Sequence, residues 1–472
     1  MAKVLLVKPR FLGTEFMSIT HPIGLMYIAS SLVRAGHEPR IYDCGADPDD
    51  LQAPARIAAE WRPDCIGLSV IVSELEQTAA IIGAIRQSVP DVPVVLGGPW
   101  PSANPSVAIT ELGVDFVSTG EGELTFPPLV DAIVAGRDRC WIATNLSGVA
   151  TMCDGQVRGP TPAELPDLDS LPYPAWNLVD QDLYARTPSM AGVGNRPYMT
   201  VVTSRGCPFH CSYCHATQGK RFRPRSAESV VAEMKLIRQT LGIREFEIVD
   251  DCFNLDRGRM RAILNGIISD IPDARLHFPN GVRSDHLNDE DVRLMRRAGT
   301  VSCCFAIETA VPELQKAIHK NLDIEKAKAT IKAAVREGIY STGFFMLGLP
   351  RETADQARAT VRFALDSPLH KAIFMLTTPF AGTELAEMAA EILGHPVNQN
   401  GIKALNYFTN TVNISAMSDE ELNRIYRSSH TRFYMNPLRA IRIVLHHPRK
   451  ASLPHYGLLV LAKMLPGRRR IR

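Results

Sequence analysis

The stretch SRGCPFHCSYCHAT, residues 204–217, places Cys207, Cys211 and Cys214 within eight residues at the spacing C-x3-C-x2-C, with Tyr213 immediately before the last. Three thiolates this close can bind a metal. A structural zinc site is closed by four nitrogen or sulfur ligands, usually as two separated pairs. His215 could close such a site only in a tight geometry, and the chain has no second C-x2-C. Iron–sulfur clusters are normally held by four Cys thiolates, so three leave one iron open to bind something else. An open iron is what this spacing favours.

The other seven cysteines (Cys44, Cys65, Cys140, Cys153, Cys252, Cys303, Cys304) are scattered through apolar or loop surroundings. Most read as structural, without a disulfide framework, which fits a reducing compartment. Cys252, Cys303 and Cys304 fall near strand ends, where substrate contact is an alternative to packing. The N-terminal MAKVLLVKPR lacks a secretory h-region, and no run reaches the roughly 18 to 20 apolar residues of a membrane span. A cytoplasmic protein is expected. With 472 residues, 45% hydrophobic and 22% charged, the chain can bury the cores of roughly two to four domains.

The elements that must position the cysteines follow from periodicity. PYMTVVTS leads straight into Arg205-Gly206-Cys207, so the cysteines occupy a loop at a strand's carboxyl end. FEIVDD, LHFPNGVRSD, VSCCFAIET, YSTGFFMLGLP and KAIFMLTTPF continue as strands, alternating with helices near 226–241, 256–269, 289–298, 311–318, 323–337 and 352–366. This predicts a partial (β/α)6 barrel over 196–385, with chemistry at the carboxyl ends of its strands. Asp250, Asp251, Asn254, Asn280, Arg283, Glu308, Thr309, Gly348, Pro379 and Gly382-Thr383 collect there.

Upstream, KVLLVK, PRIYDC, DCIGLSVIV, VPVVLGG and VDFVSTG alternate with helices over 1–140, an α/β, doubly wound, Rossmann-like pattern. Ligands of such sheets sit beyond the carboxyl ends of the strands, here at Ser69, Gly97-Gly98 and Gly120-Glu121-Gly122-Glu123. No G-x-G-x-x-G opens a helix after the first strand, and no Walker A sequence occurs. Residues 141–195 hold a hairpin-like NLSGVATMCDGQVRG and a Pro-rich run, and are expected to be a connector.

Ser69 followed by Gly97-Gly98 resembles the cobalamin-binding domain, in which a Ser and a Gly-Gly accommodate the dimethylbenzimidazole tail. Of that family's D-x-H-x-x-G, which supplies an axial His to cobalt, His21-Pro22-Ile23-Gly24 matches the second half and Ile19 replaces the Asp. Cys207, Cys211, Tyr213 and Cys214 resemble the radical S-adenosylmethionine signature. Together, in this order, they resemble the cobalamin-binding radical S-adenosylmethionine enzymes, which include C-methyltransferases and the anaerobic magnesium-protoporphyrin cyclase. The resemblance implies a 4Fe-4S cluster on the three cysteines, S-adenosylmethionine on its open iron, and cobalamin over Ser69, Gly97, Gly98, Gly120 and Glu121.

It further implies that Tyr213 lies against the adenine and that Glu308 binds the ribose. Arg283 faces the ligand's carboxylate or else forms a rim salt bridge. Asp250 or Asp251 takes the methionine amine. The implied activity is methylation of an unactivated carbon of a lipid or secondary metabolite, through a 5'-deoxyadenosyl radical and methylcobalamin, with a flavodoxin or ferredoxin as electron donor. An oxidative cyclase or rearrangement enzyme, and a cobalamin-binding sensor, are the alternatives.

The region 386–472 reads as helical and basic. From Leu422 to Arg472 there are ten Arg and two Lys and no acid, interspersed with apolar residues, after a capping box at Ser418-x-x-Glu421. Such a tail suits either peripheral contact with an anionic membrane surface or a helical lid packed on the barrel. Aromatics are not interleaved for base stacking, so nucleic acid is not expected.

Overall fold

A computed structural model describes residues 1–9, 18–47, 49–161, 163–214, 218–397, 412–454 and 457. The chain divides into two units, Met1–Thr187 and Pro188–Arg472.

In the first unit, β1 (Lys3–Lys8), β2 (Glu38–Asp43), β3 (Cys65–Ser69), β4 (Val94–Gly97) and β5 (Phe116–Ser118) are parallel in the order β2-β1-β3-β4-β5. Val4 to Val7 are all buried because helices cover both faces. Leu5, Val7, Ile66 and Leu96 enter one core, while Val4, Leu6, Val95 and Phe116 enter the other.

Three features go beyond or against the sequence reading. The hairpin expected in the connector, β6 (Val149–Cys153) and β7 (Gln156–Arg158), extends this sheet in antiparallel fashion beside β5. That addition brings Cys153 against the helix Arg139–Asn145, and Cys140 and Cys153 form a disulfide. Cysteine spacing carries no sign of a pairing that depends on where β6 docks. A helix at Gly122–Val134 also continues through Pro127 and Pro128, residues that argue against helix in a sequence.

In the second unit six parallel strands follow the order β15-β14-β13-β12-β11-β8: β8 (Met199–Val201), β11 (Glu245–Ile248), β12 (Arg275–Val282), β13 (Thr300–Glu308), β14 (Tyr340–Leu347) and β15 (Lys371–Leu376). The short pair β9 (Ser204–Arg205) and β10 (Arg223–Pro224) is antiparallel. Phe345 and Phe374 stack with ring centroids 5.3 Å apart and meet the outer helices through Phe363 and Phe433. The alternate residues Ala306, Phe344, Ile373 and Met375 therefore face inward, and all four remain partly accessible. Toward the carboxyl ends of these strands the inner face is apolar, whereas Thr342 and Lys371 occupy the same face nearer their amino ends.

The helix Asp419–Tyr434 buries Leu422, Ile425 and Phe433 and packs on the helix Ala354–Asp366 and on β15. Arg439, counted above among the basic residues of the tail, is buried: it donates to the carbonyls of Leu369 (2.5 Å), Leu365 (2.6 Å) and Ser367 (3.2 Å) and lies 3.8 Å over the Phe433 ring. It closes the carboxyl end of the helix Ala354–Asp366. Arg439→Ala is expected to destabilise the chain by about 2 to 4 kcal/mol, since charged hydrogen bonds to buried carbonyls are lost. Arg432→Ala, at an exposed position of the preceding helix, is expected to stay within about 0.5 kcal/mol. Urea unfolding followed by circular dichroism compares the two.

Candidate cofactor sites

In the second unit the cysteine loop lies between β9 and β10. Gly206 opens it at φ +81, and a Cβ there would lie 2.2 Å from the Arg221 carbonyl oxygen, so only glycine fits. The Cys207 amide donates to the Gly219 carbonyl (3.2 Å), Ser212 to Ile318 (3.1 Å), Leu385 to Ser212 (2.8 Å), and Lys220 Nζ to the Phe209 carbonyl (2.7 Å). These ties hold Cys207 and Cys211 partly exposed and Cys214 exposed. Among the described residues no other cysteines share a loop in this way; His215, the candidate fourth zinc ligand, lies outside them. A hydrogen bond from the Cys252 thiol brings the Cys207 thiol down to about 6, and burial raises Cys211 against the pull of Lys320.

The strand ends carry the remaining groups. Glu308 ends β13 in the left-handed region at φ +64, a conformation that costs a non-glycine residue on the order of 1 kcal/mol. Its Oε1 accepts from the Tyr213 hydroxyl (3.1 Å) and from Lys320 Nζ (3.2 Å). Tyr213 and Glu308, 95 residues apart, are thus brought together.

Arg283 pairs with Asp285 (3.0 Å), donates to the Asn321 carbonyl (3.0 Å) and lies 4.0 Å over the ring of Phe209 in the cysteine loop. This is the rim salt bridge of the sequence reading, with the added duty of bracing the loop. Asp250, one of the two carboxylates expected at the cofactor, is buried and accepts from the Thr203 amide (2.6 Å), the Thr203 hydroxyl and the Ser204 hydroxyl (2.6 Å). All its hydrogen bonding goes into joining β8 to β11. Its neighbour Asp251 is exposed and accepts from the Gly206 amide.

Cys252 is buried against Cys207, Cys303 is fully enclosed, and Cys304 shares the inner face with Thr342. Lys320 is the residue that sequence reasoning missed, because a lysine in the short AIHKNL connection carries no signature.

In the first unit Ser69, Gly97 and Gly120 gather at the carboxyl edge of β3, β4 and β5. Gly98 has φ +103, and a Cβ would lie 2.7 Å from the Val70 carbonyl oxygen, so it is needed by the fold itself. Gly97 differs: its Cβ would have 3.7 Å to the nearest atom. Glu121 immediately precedes the helix Gly122–Val134. His21 is buried, with its ring 4.0 Å from that of Tyr184 and Nε2 3.4 Å from Gln181 Oε1; burial lowers it to about 4.

Residues 9–130 match the B12 binding domain family and residues 201–364 the Radical SAM superfamily. An uncharacterized methyltransferase of Pyrococcus horikoshii is 30% identical over 461 residues, covering 94% of this chain and 95% of its own. The chain belongs to the cobalamin-binding radical S-adenosylmethionine enzymes. An anaerobic magnesium-protoporphyrin IX monomethyl ester cyclase of Rubrivivax gelatinosus is 27% identical, covering 92% of this chain and 78% of its own. The fold is also that of the radical S-adenosylmethionine methyltransferase TsrM of Kitasatospora setae, solved with cobalamin and a [4Fe-4S] cluster: TM-score 0.68, 23% identity, 82% of this chain and 78% of that one.

The family's cofactors are a 4Fe-4S cluster, S-adenosylmethionine and cobalamin, and the residues present fit them. Three thiols on one braced loop suit a cluster with an open iron, and Gly97, which has no side chain at the carboxyl edge of the sheet, suits the close approach of a bulky ligand. Gly97→Trp is expected to abolish cobalamin retention on gel filtration while leaving the iron content unchanged. Gly98→Trp is expected instead to unfold the first unit, because its Cβ meets backbone.

Proposed function

We propose that this protein is a C-methyltransferase acting on an unactivated carbon of a lipid or secondary metabolite. The observation that carries the reading is the end-to-end match with a methyltransferase, in a chain whose cysteine loop faces a paired Tyr213 and Glu308. When bound, the three cofactors supply one-electron reduction, a hydrogen-abstracting adenosyl group and a methyl carrier. Cys207, Cys211 and Cys214 hold the cluster. Tyr213 and Glu308 take the nucleoside of S-adenosylmethionine, and Asp251 its amine. Ser69, Gly97 and Gly120 leave room for the cobalamin. The apolar residues Ala306, Phe344, Ile373 and Met375 on the inner face favour an apolar substrate part.

The cyclase relative supports a second reading, oxidative cyclisation without methyl transfer. Anaerobic incubation of reconstituted protein with S-adenosylmethionine, a flavodoxin or ferredoxin reductant and a lipid extract separates the two. Methylation gives 5'-deoxyadenosine together with a product heavier by one methylene. Cyclisation gives 5'-deoxyadenosine with a product that has gained no carbon. Cys207→Ala/Cys211→Ala/Cys214→Ala is expected to lose both the visible cluster absorbance and 5'-deoxyadenosine. A wild-type chain that binds cobalamin but forms no 5'-deoxyadenosine under reductant is a sensor, and the enzyme reading falls.

The proposed lipid substrate has its support in the helix Pro437–His446. Met435, Leu438, Ile441, Val444 and Leu445 are 51–73% exposed, next to Arg442, Arg449 and Lys450 in a region without acids. Each cation near an anionic leaflet contributes on the order of 1 kcal/mol. We read this face as a peripheral contact with the cytoplasmic surface of the inner membrane. Co-sedimentation with phosphatidylglycerol vesicles is expected at low salt, and is expected to be lost in Leu438→Ser/Ile441→Ser/Leu445→Ser, which alters exposed positions only. If the full chain ignores such vesicles, the face serves another contact and the lipid substrate loses its support.

A further inference from the structure

Three residues with left-handed backbone converge near the cysteine loop: Glu308 (φ +64), His319 (φ +53) and Asn321 (φ +49). Left-handed non-glycine residues persist where surrounding structure over-determines them, and here one buried side chain does so. Gln315 Nε2 donates to the carbonyls of Ile307 (2.8 Å) and Thr309 (2.6 Å), on either side of Glu308, while its Oε1 accepts from the Leu322 amide (3.1 Å). The backbone carbonyl of Gln315 also accepts from Lys320 (3.0 Å) and Asn321 (3.2 Å). One residue therefore fixes both the turn that carries Glu308 and the loop that carries Lys320.

The result is a closed triangle. Lys320 Nζ donates to Glu308 Oε1 (3.2 Å) and to the Tyr213 hydroxyl oxygen (3.3 Å), and that hydroxyl donates to the same Oε1 (3.1 Å). Both of Oε1's partners come from inside the protein, whereas Oε2 makes no hydrogen bond among the described residues. We infer that Lys320 is a positioning residue of the S-adenosylmethionine site, holding Oε1 of Glu308 so that Oε2 is presented to the hydroxyls of the ligand. The inference rests on the proposed placement of the nucleoside at Tyr213 and Glu308.

The test is equilibrium dialysis of S-adenosylmethionine against the full chain carrying its cluster and cobalamin, with iron content measured in parallel. Lys320→Met is expected to weaken binding on the order of tenfold, the size of one charged hydrogen bond, at unchanged iron content. Lys320→Arg is expected to recover most of the affinity. In Lys320→Met/Glu308→Gln the two losses should fall short of additive, since both variants disable one contact. Wild-type affinity in Lys320→Met, additive losses, or loss of iron with normal affinity per remaining cluster would each overturn the inference. If the wild-type chain with an intact cluster binds no S-adenosylmethionine, the underlying reading of the site fails with it.

Discussion

Everything in the second unit depends on keeping an irregular loop rigid. The three cysteines lie outside any helix or strand, so backbone from elsewhere must hold them. Gly206 supplies the turn that no other residue can make against Arg221. Lys220, Ile318 and Leu385 take the loop's polar backbone groups, and Arg283 lies against Phe209 from the strand side. Asp250 performs the matching task beneath, joining Thr203 and Ser204 to the neighbouring strand. Asp250 is buried in this role, whereas its neighbour Asp251 is exposed.

The strands of both sheets and most of their helices were legible in the sequence because each is set by local periodicity. KVLLVK and FEIVDD are short apolar runs ended by polar residues, and each forms a parallel strand. The cysteine triplet was legible for the same reason, being local. What escaped was set by contacts distant in sequence. The docking of β6 on β5 decides the Cys140–Cys153 bond, and Asp250 and Asp251 are distinguished by burial, which depends on how β8 lies beside β11. Lys320 acquires its neighbours through Gln315, whose role depends on β13 lying beside it.

The basic tail illustrates how composition averages over unlike environments. Arg439 and Leu438 are adjacent in a run rich in arginine and apolar residues, and a count of charges treats the region as one surface. In the fold they exchange the usual roles: the arginine is buried under three carbonyls and an aromatic ring, and the leucine is 73% exposed. An arginine tolerates burial when its fork meets several acceptors at once. A leucine left in water gains nothing locally, so a row of them at helical spacing argues for a partner that buries it. The two helices differ accordingly: Asp419–Tyr434 packs on the helix Ala354–Asp366 and on β15, while Pro437–His446 is tied down by Arg439 and leaves Leu438, Ile441 and Leu445 exposed.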